Sequence, residues 1–210
     1  MLSEPAIAPL HLAVTTGAIS PLLTALLTKQ RIEEPQTPIH IVETSAAEQY
    51  QGLKEGRYCL GLSLTAEENH LSLQSEPLWQ DELAIAVPPL FPLLRFAEIP
   101  LQEAIQYPLI MWSKGACPPI DEQIESLLES TTTNLNIVHW VENFELMVAL
   151  IASGYGIGFY IKSRIRTLRG LDIVMRPLAG GPQRVTTYLI RARSFPSTAV
   201  DRIIQRARSI

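Results

Sequence analysis

The side chains best placed to do chemistry in this 210-residue chain are hydroxyls that follow short apolar runs. After HLAV come Thr15, Thr16 and Gly17, with Ser20 and Pro21 opening a helical pattern. After IHIV come Glu43, Thr44 and Ser45, with Glu48 three residues beyond Ser45. Hydroxyls and backbone N–H groups without helical partners at a helix start bind carboxylates and other small anions. Capping needs one hydroxyl and the first stretch has three, which favours ligand contact there; Ser45 and Glu48 read first as a capping box. A third loop, Ser113 to Ile120, follows PLIMW and offers a hydroxyl, Lys114, Cys117, Pro118 and Pro119, the composition of a specificity loop. Trp112 before that loop, Asn143 at the next helix start and Tyr160 at a strand end are placed to reach the same ligand.

Other chemistries find no support. There is no GxSxG, no HExxH and no Cys–His–Asn constellation, so catalysis is not expected. His11, His40, His70 and His139 are scattered, and Cys59 and Cys117 form no CxxC, so neither a metal nor a cofactor is expected. Gly154, Gly156 and Gly158 in ALIASGYGIGFYIKS have the density of a phosphate loop but the wrong order, since such loops follow a strand and open a helix. Here a helical pattern ends at Gly154, the expected left-handed stop, and a strand follows over 157–161. Gly156 and Gly158 would then let a second backbone or a ligand come close.

These residues need elements to hold them. With 47% hydrophobic and 18% charged residues the chain can bury a substantial core. No apolar run approaches the length of a membrane span and no basic segment precedes an apolar one at the start, so a cytoplasmic location without membrane contact is expected. Residues 1–100 hold 5 Lys+Arg and 12 Asp+Glu, residues 101–210 hold 12 and 9, and the net charge is −4. Nucleic-acid binding by this chain is not expected from a mildly basic second half with no reading motif.

The pattern runs strand (HLAV), helix (LLTALLTKQR), strand (IHIVET), helix (SAAEQYQGLKEG), strand (CLGLSL), and then restarts. ELAIAV, PLIMW, LNIVHWV and IGFYI are strands, PIDEQIESLLES and FELMVALIAS are helices, and PPLFPLLRFAEIP is a proline-rich connection. VTTYLIRA and a helix from about Ser197 to Arg208 close the chain. Two such series predict an α/β protein of two Rossmann-like lobes: residues 1–82 with 193–210, and residues 83–192, joined by two crossover segments. A ligand would lie between the lobes, at the carboxyl ends of the strands. Thr15, Thr16 and Ser113 would face one another around it.

At this point the chain resembles the effector-binding region of LysR-type transcriptional regulators, with its type 2 periplasmic-binding-protein-like fold. LHLAVTTGAISPLLTALLTKQRIEEP resembles the family's first strand, turn and helix, and LKEGRYCLGL its LxxGxLDLAI segment. LWQDELAIAVPPLFPL resembles LxxDELVLVVPxxHPL, and LIASGYGIGFYIKS resembles LVAAGLGIALLPxS. The resemblance implies effector contacts at Thr15, Thr16, Gly17, Ser45, Pro118, Pro119 and Ile120. It also implies a homodimer, or a tetramer in the full-length regulator, in which lobe one of a subunit packs against lobe two of its partner. DNA would be bound only through a winged helix-turn-helix of about 90 residues that is not in this sequence, which is then a piece of a regulator or a truncated one.

Two positions depart from the family pattern: Cys59 stands where Asp is usual and Ile161 where Pro is usual. Peroxide-sensing members pair two cysteines within one lobe, and Cys59 and Cys117 fall in different expected lobes, which argues against redox sensing. The rival readings are a solute-binding component of a transporter and an enzyme on the same scaffold. A prephenate dehydratase is one such enzyme, and its Thr-Arg-Phe signature is missing.

Overall fold

Leu12 and Val14 point to one side of strand β1 (Leu10–Val14) and Ala13 to the other, and each side carries its own core. The computed structural model describes residues 9–66, 72–129, 131, 134–167, 172–193 and 197–210. It divides into two compact units, Met1–Trp79 with Thr186–Ile210, and Gln80–Val185.

In the first unit β1 lies between β2 (Ile39–Glu43) and β3 (Leu60–Ser63), parallel to both. Strand β3 pairs antiparallel with the end of β9 (Gln183–Ala192). The first half of β4 (Leu73–Val87) is tied to the chain beyond β9 by Arg193 N–H donating to Ser72 O at 2.9 Å. Leu23 and Leu26 of α1 (Pro21–Glu33) and Val200, Ile203 and Ile204 of α6 (Thr198–Arg208) pack on the Leu12 side. Leu53 of α2 (Ala46–Lys54) packs on the Ala13 side, with Tyr58 and Ile190. Helices therefore cover both faces, as alternating βα units require. Ser20 caps α1, accepting from Leu23 N–H at 3.4 Å, with Pro21 in the first turn.

The second unit repeats the scheme. Strand β5 (Leu109–Trp112) is parallel to β6 (Ile137–Val141) and to β7 (Ile157–Ile161). The second half of β4 runs antiparallel to β7 and to β8 (Val174–Pro177). Helices α4 (Pro118–Glu129) and α5 (Phe144–Ala152) follow β5 and β6. Gly154 ends the α5 turn at φ +79°, the left-handed stop the sequence predicts. The close approach at Gly156 is to backbone, where a Cβ would lie 2.5 Å from Pro108 O; one on Gly158 would meet the Ile151 side chain at 3.0 Å and Ile110 O at 3.3 Å.

Two elements differ from the sequence reading. The strand expected from Glu82 begins at Leu73, because Pro77 and the charges around it mask its strand character, and of its residues before Glu82 only Leu73 and Trp79 are buried. The proline-rich connection contains a 3-10 turn (Pro92–Arg95) and the short helix α3 (Leu101–Ala104), too brief to show a helical period.

Candidate functional site

In the first unit, the carboxyl ends of β1, β2 and β3 bring the predicted hydroxyls onto one surface. Thr15 N–H donates to Leu62 O at 3.0 Å and its hydroxyl reaches the same oxygen at 3.5 Å. Thr16 opens a 3-10 turn (Thr16–Ala18) and is exposed, while Gly17 is buried beneath it. Neither threonine caps α1, since Ser20 does. The Thr16 hydroxyl donates to Glu43 Oε1 at 2.8 Å, which makes Glu43 a member of this surface. Thr44 N–H donates to Val14 O at 3.0 Å, and its buried hydroxyl has no hydrogen-bond partner among the described residues. Ser45 accepts from Glu48 N–H at 3.2 Å, one half of the expected box. The Glu48 carboxylate pairs instead with Arg57, whose hydrogen bonds hold it below the usual carboxylate range.

In the second unit the Ser113 loop is pinned at both ends. Ser113 N–H donates to Val141 O at 2.7 Å, and Gly115, at φ +82°, donates its N–H to Asp121 Oδ2 at 2.8 Å. Asp121 is buried in the first turn of α4 and places a carboxylate where the sequence reading expects an external anion. Pro118 is exposed and Pro119 half-buried at the helix start, and Ser113 is half-buried. Asn143 is exposed and caps α5 by accepting from Leu146 N–H at 2.8 Å.

Three residues expected at the ligand are core instead: Trp112, Ile120 and Tyr160 are 4%, 0% and 1% exposed. Tyr160 lies between Trp112, 4.9 Å away, and Phe144, 4.6 Å away and stacked, with the Arg164 guanidinium over the Phe144 and Tyr160 rings. Trp112 Nε1–H donates to Phe159 O at 3.2 Å. An aromatic side chain at a strand end has the same one-dimensional pattern whether it lines a cavity or fills a core. Tyr160 and Trp112 fill the core.

The cysteines are settled by burial. Cys117 is pushed up to about 12, first by burial and then by the charge of Asp121. Cys59, at the position where the family carries Asp, donates its thiol to His11 O at 3.2 Å, and burial raises it as well. Neither is a thiolate at neutral pH. Among the described residues no group of three His, Cys, Asp or Glu could hold a metal, and no helix is long and apolar enough to cross a membrane.

Two α/β units, each with a helix-start turn at the ends of its parallel strands, define a type 2 periplasmic-binding-protein-like domain. The chain belongs to the LysR substrate binding domain family, which it matches over residues 4–209. It is similar to the HTH-type transcriptional regulator AlsR of Bacillus subtilis (strain 168), at 24% identity over 156 residues, 74% of this chain and 51% of that protein. Among solved structures it is similar to the BenM effector binding domain with its effector benzoate, with a TM-score of 0.84 at 18% identity, over 96% of this chain and 90% of that one. It is also similar to the effector binding domain of QuiR in complex with shikimate, with a TM-score of 0.78 at 19% identity, over 97% and 96%. The chain spans about half the length of the curated relatives it matches.

Proposed function

We propose that this domain senses a small-molecule effector, with the Thr15–Gly17 turn and Ser45 of the first unit in contact with it; benzoate and shikimate are the compounds to test. The observation that carries the reading is the Thr15–Thr16–Gly17 turn: hydroxyls that cap no helix, in a domain of the LysR substrate binding family. The Thr16 hydroxyl donates its hydrogen bond to Glu43, so an anionic effector must take that hydrogen bond over or be met by backbone N–H groups beside it. Thr16→Val should weaken benzoate or shikimate binding by about 0.5–1.5 kcal/mol and leave the melting temperature of the ligand-free protein nearly unchanged. Ser20→Ala should do the reverse, costing about 1 kcal/mol of stability without selective loss of affinity. Calorimetry with each compound, beside ligand-free melts, compares the two. Equal affinity for wild type and Thr16→Val removes Thr16 from the site.

We further propose a cytoplasmic homodimer that reaches DNA through a domain outside this sequence. Supporting it are apolar side chains exposed on each unit: Ile32, 74% exposed on the outer face of α1, and Val138, Trp140, Leu146 and Tyr155 around β6 and α5. An isolated exposed Leu or Ile is ordinary, but Trp and Tyr are enriched at contact surfaces. Sedimentation at micromolar concentration should give a dimer that Trp140→Glu or Ile32→Glu converts to monomer; a monomeric wild type rejects the proposal.

A further inference from the structure

We infer that Gln49 is the positioning residue of the first unit's turn: a single buried amide that holds the end of β1, the end of β3 and the opening of α2 in one geometry. Gln49 is wholly buried on α2, and its Nε2 donates to Ala13 O and to Leu62 O, both at 3.0 Å. Leu62 O is the oxygen that also receives Thr15 N–H at 3.0 Å. Its backbone N–H donates to Ser45 O at 2.9 Å, so one residue is bonded to the helix start and to both strands that flank the turn. The opposing strand is shaped for it: a Cβ on Gly61 would lie 2.9 Å from Gln49 Cδ and 3.1 Å from Oε1.

The chemistry shows that the donors are what the position requires. Gln49 Oε1 is buried without a hydrogen-bond partner among the described residues, a cost that a leucine of similar volume would avoid. The reversed amide would set Oε1 against two carbonyl oxygens, so the orientation is fixed by its partners. Strand pairing leaves the carbonyls at the ends of β1 and β3 only partly occupied, and Gln49 supplies both with the same rigid group. The turn carrying Thr15, Thr16 and Gly17 is thereby anchored before any ligand arrives.

The effect on effector binding rests on the reading that this turn contacts the effector; the anchoring does not, and it is measured in the ligand-free protein. In Gln49→Leu, hydrogen exchange at the amides of Thr15–Ala18 should be faster by about tenfold or more, while amides of β5 and β7 keep their wild-type rates. In Gln49→Glu, burial against two carbonyl oxygens raises the carboxyl, and at a pH above that raised value the carboxylate faces the two carbonyls and exchange should rise similarly. As pH falls and the acid protonates, one donor returns and protection at 15–18, corrected for intrinsic exchange, should recover. Gly61→Ala should reproduce the local effect by displacing the amide, and combining it with Gln49→Leu should add little. Unchanged exchange at 15–18 in Gln49→Leu, a rise spread evenly over the first unit, or a pH-independent Gln49→Glu each overturns the assignment. If Gln49→Leu does not fold, the pH dependence of Gln49→Glu decides it. Benzoate and shikimate calorimetry is the separate arm: local exchange raised with no binding by wild type retires the effector reading and leaves the anchoring standing.

Discussion

Gly156→Ala is expected to destabilise the protein by about 3 kcal/mol, the upper part of the range for overpacking a closed contact, and to lower its melting temperature by roughly 10 °C. The added methyl would sit 2.5 Å from Pro108 O, a backbone atom with no side-chain freedom to retreat. The same oxygen receives Ile157 N–H at 2.9 Å, the contact that leads β7 into register beside β5. Relieving the clash therefore moves the β5–β7 pairing itself. Gly154→Ala is the informative contrast: that glycine has φ +79° and open space around its Cα, so the substitution costs only the left-handed conformation, about 1 kcal/mol. Gly158→Ala, whose methyl would meet Ile151 Cδ1 at 3.0 Å, should fall between, because a side-chain end can shift. Urea denaturation followed by circular dichroism ranks the three. A Gly156→Ala cost no larger than that of Gly154→Ala would show that the strands are not packed this closely.

Arg206→Ala is expected to cost about 2–3 kcal/mol, less than a fully buried pair and more than a surface one. The Arg206 side chain is 12% exposed; its guanidinium donates to Glu33 at 2.9 Å, while its Nη1 lies 2.8 Å from Glu34 and 2.6 Å from the buried Gln30 Oε1. Removing it leaves Gln30 and Glu34 short of a partner between α1 and α6. Arg208→Ala, whose side chain is 46% exposed beside Glu76, should cost no more than about 1 kcal/mol. The same network predicts acid sensitivity. Hydrogen bonds from Arg202 first, then Thr37 and Arg206, lower Glu34 from 4.5 to about 2. A carboxylate depressed on folding contributes stability that is complete above its ordinary value and is lost as pH falls through the folded one, so this contribution disappears between pH 4.5 and 2. Trp79, whose indole N–H donates to Ala207 O at 3.0 Å, reports the docking of α6 by its fluorescence. Melts of wild type and Arg202→Ala across that window should show the shallower acid dependence in the variant; identical slopes would mean that Glu34 is not held by this network.

The alternation of apolar runs, the caps at Ser45 and Asn143 and the glycine stop at Gly154 were legible in the sequence, because each depends on residues within one turn or one strand of each other. Strand β4 before Glu82 was not, since Pro77 and its charged neighbours outweigh local propensity while Leu73 and Trp79 are buried by distant partners.

For the candidate site the division is the same. The sequence by itself determined that hydroxyls stand at the ends of β1 and β2 and that a mixed loop follows β5, since strand ends and helix starts are local features. Only the tertiary structure decided what those groups are free to do. It gave the α1 cap to Ser20 and the Thr16 hydrogen bond to Glu43, placed Asp121 under the Ser113 loop, and closed Trp112, Ile120 and Tyr160 into the second unit's core. It also made Gln49, an unremarked polar residue in a helical pattern, the group that joins Ala13, Ser45 and Leu62. Hydrogen-bond partners and burial are set by residues far apart in the chain, and their pairing is fixed only when the strands are side by side.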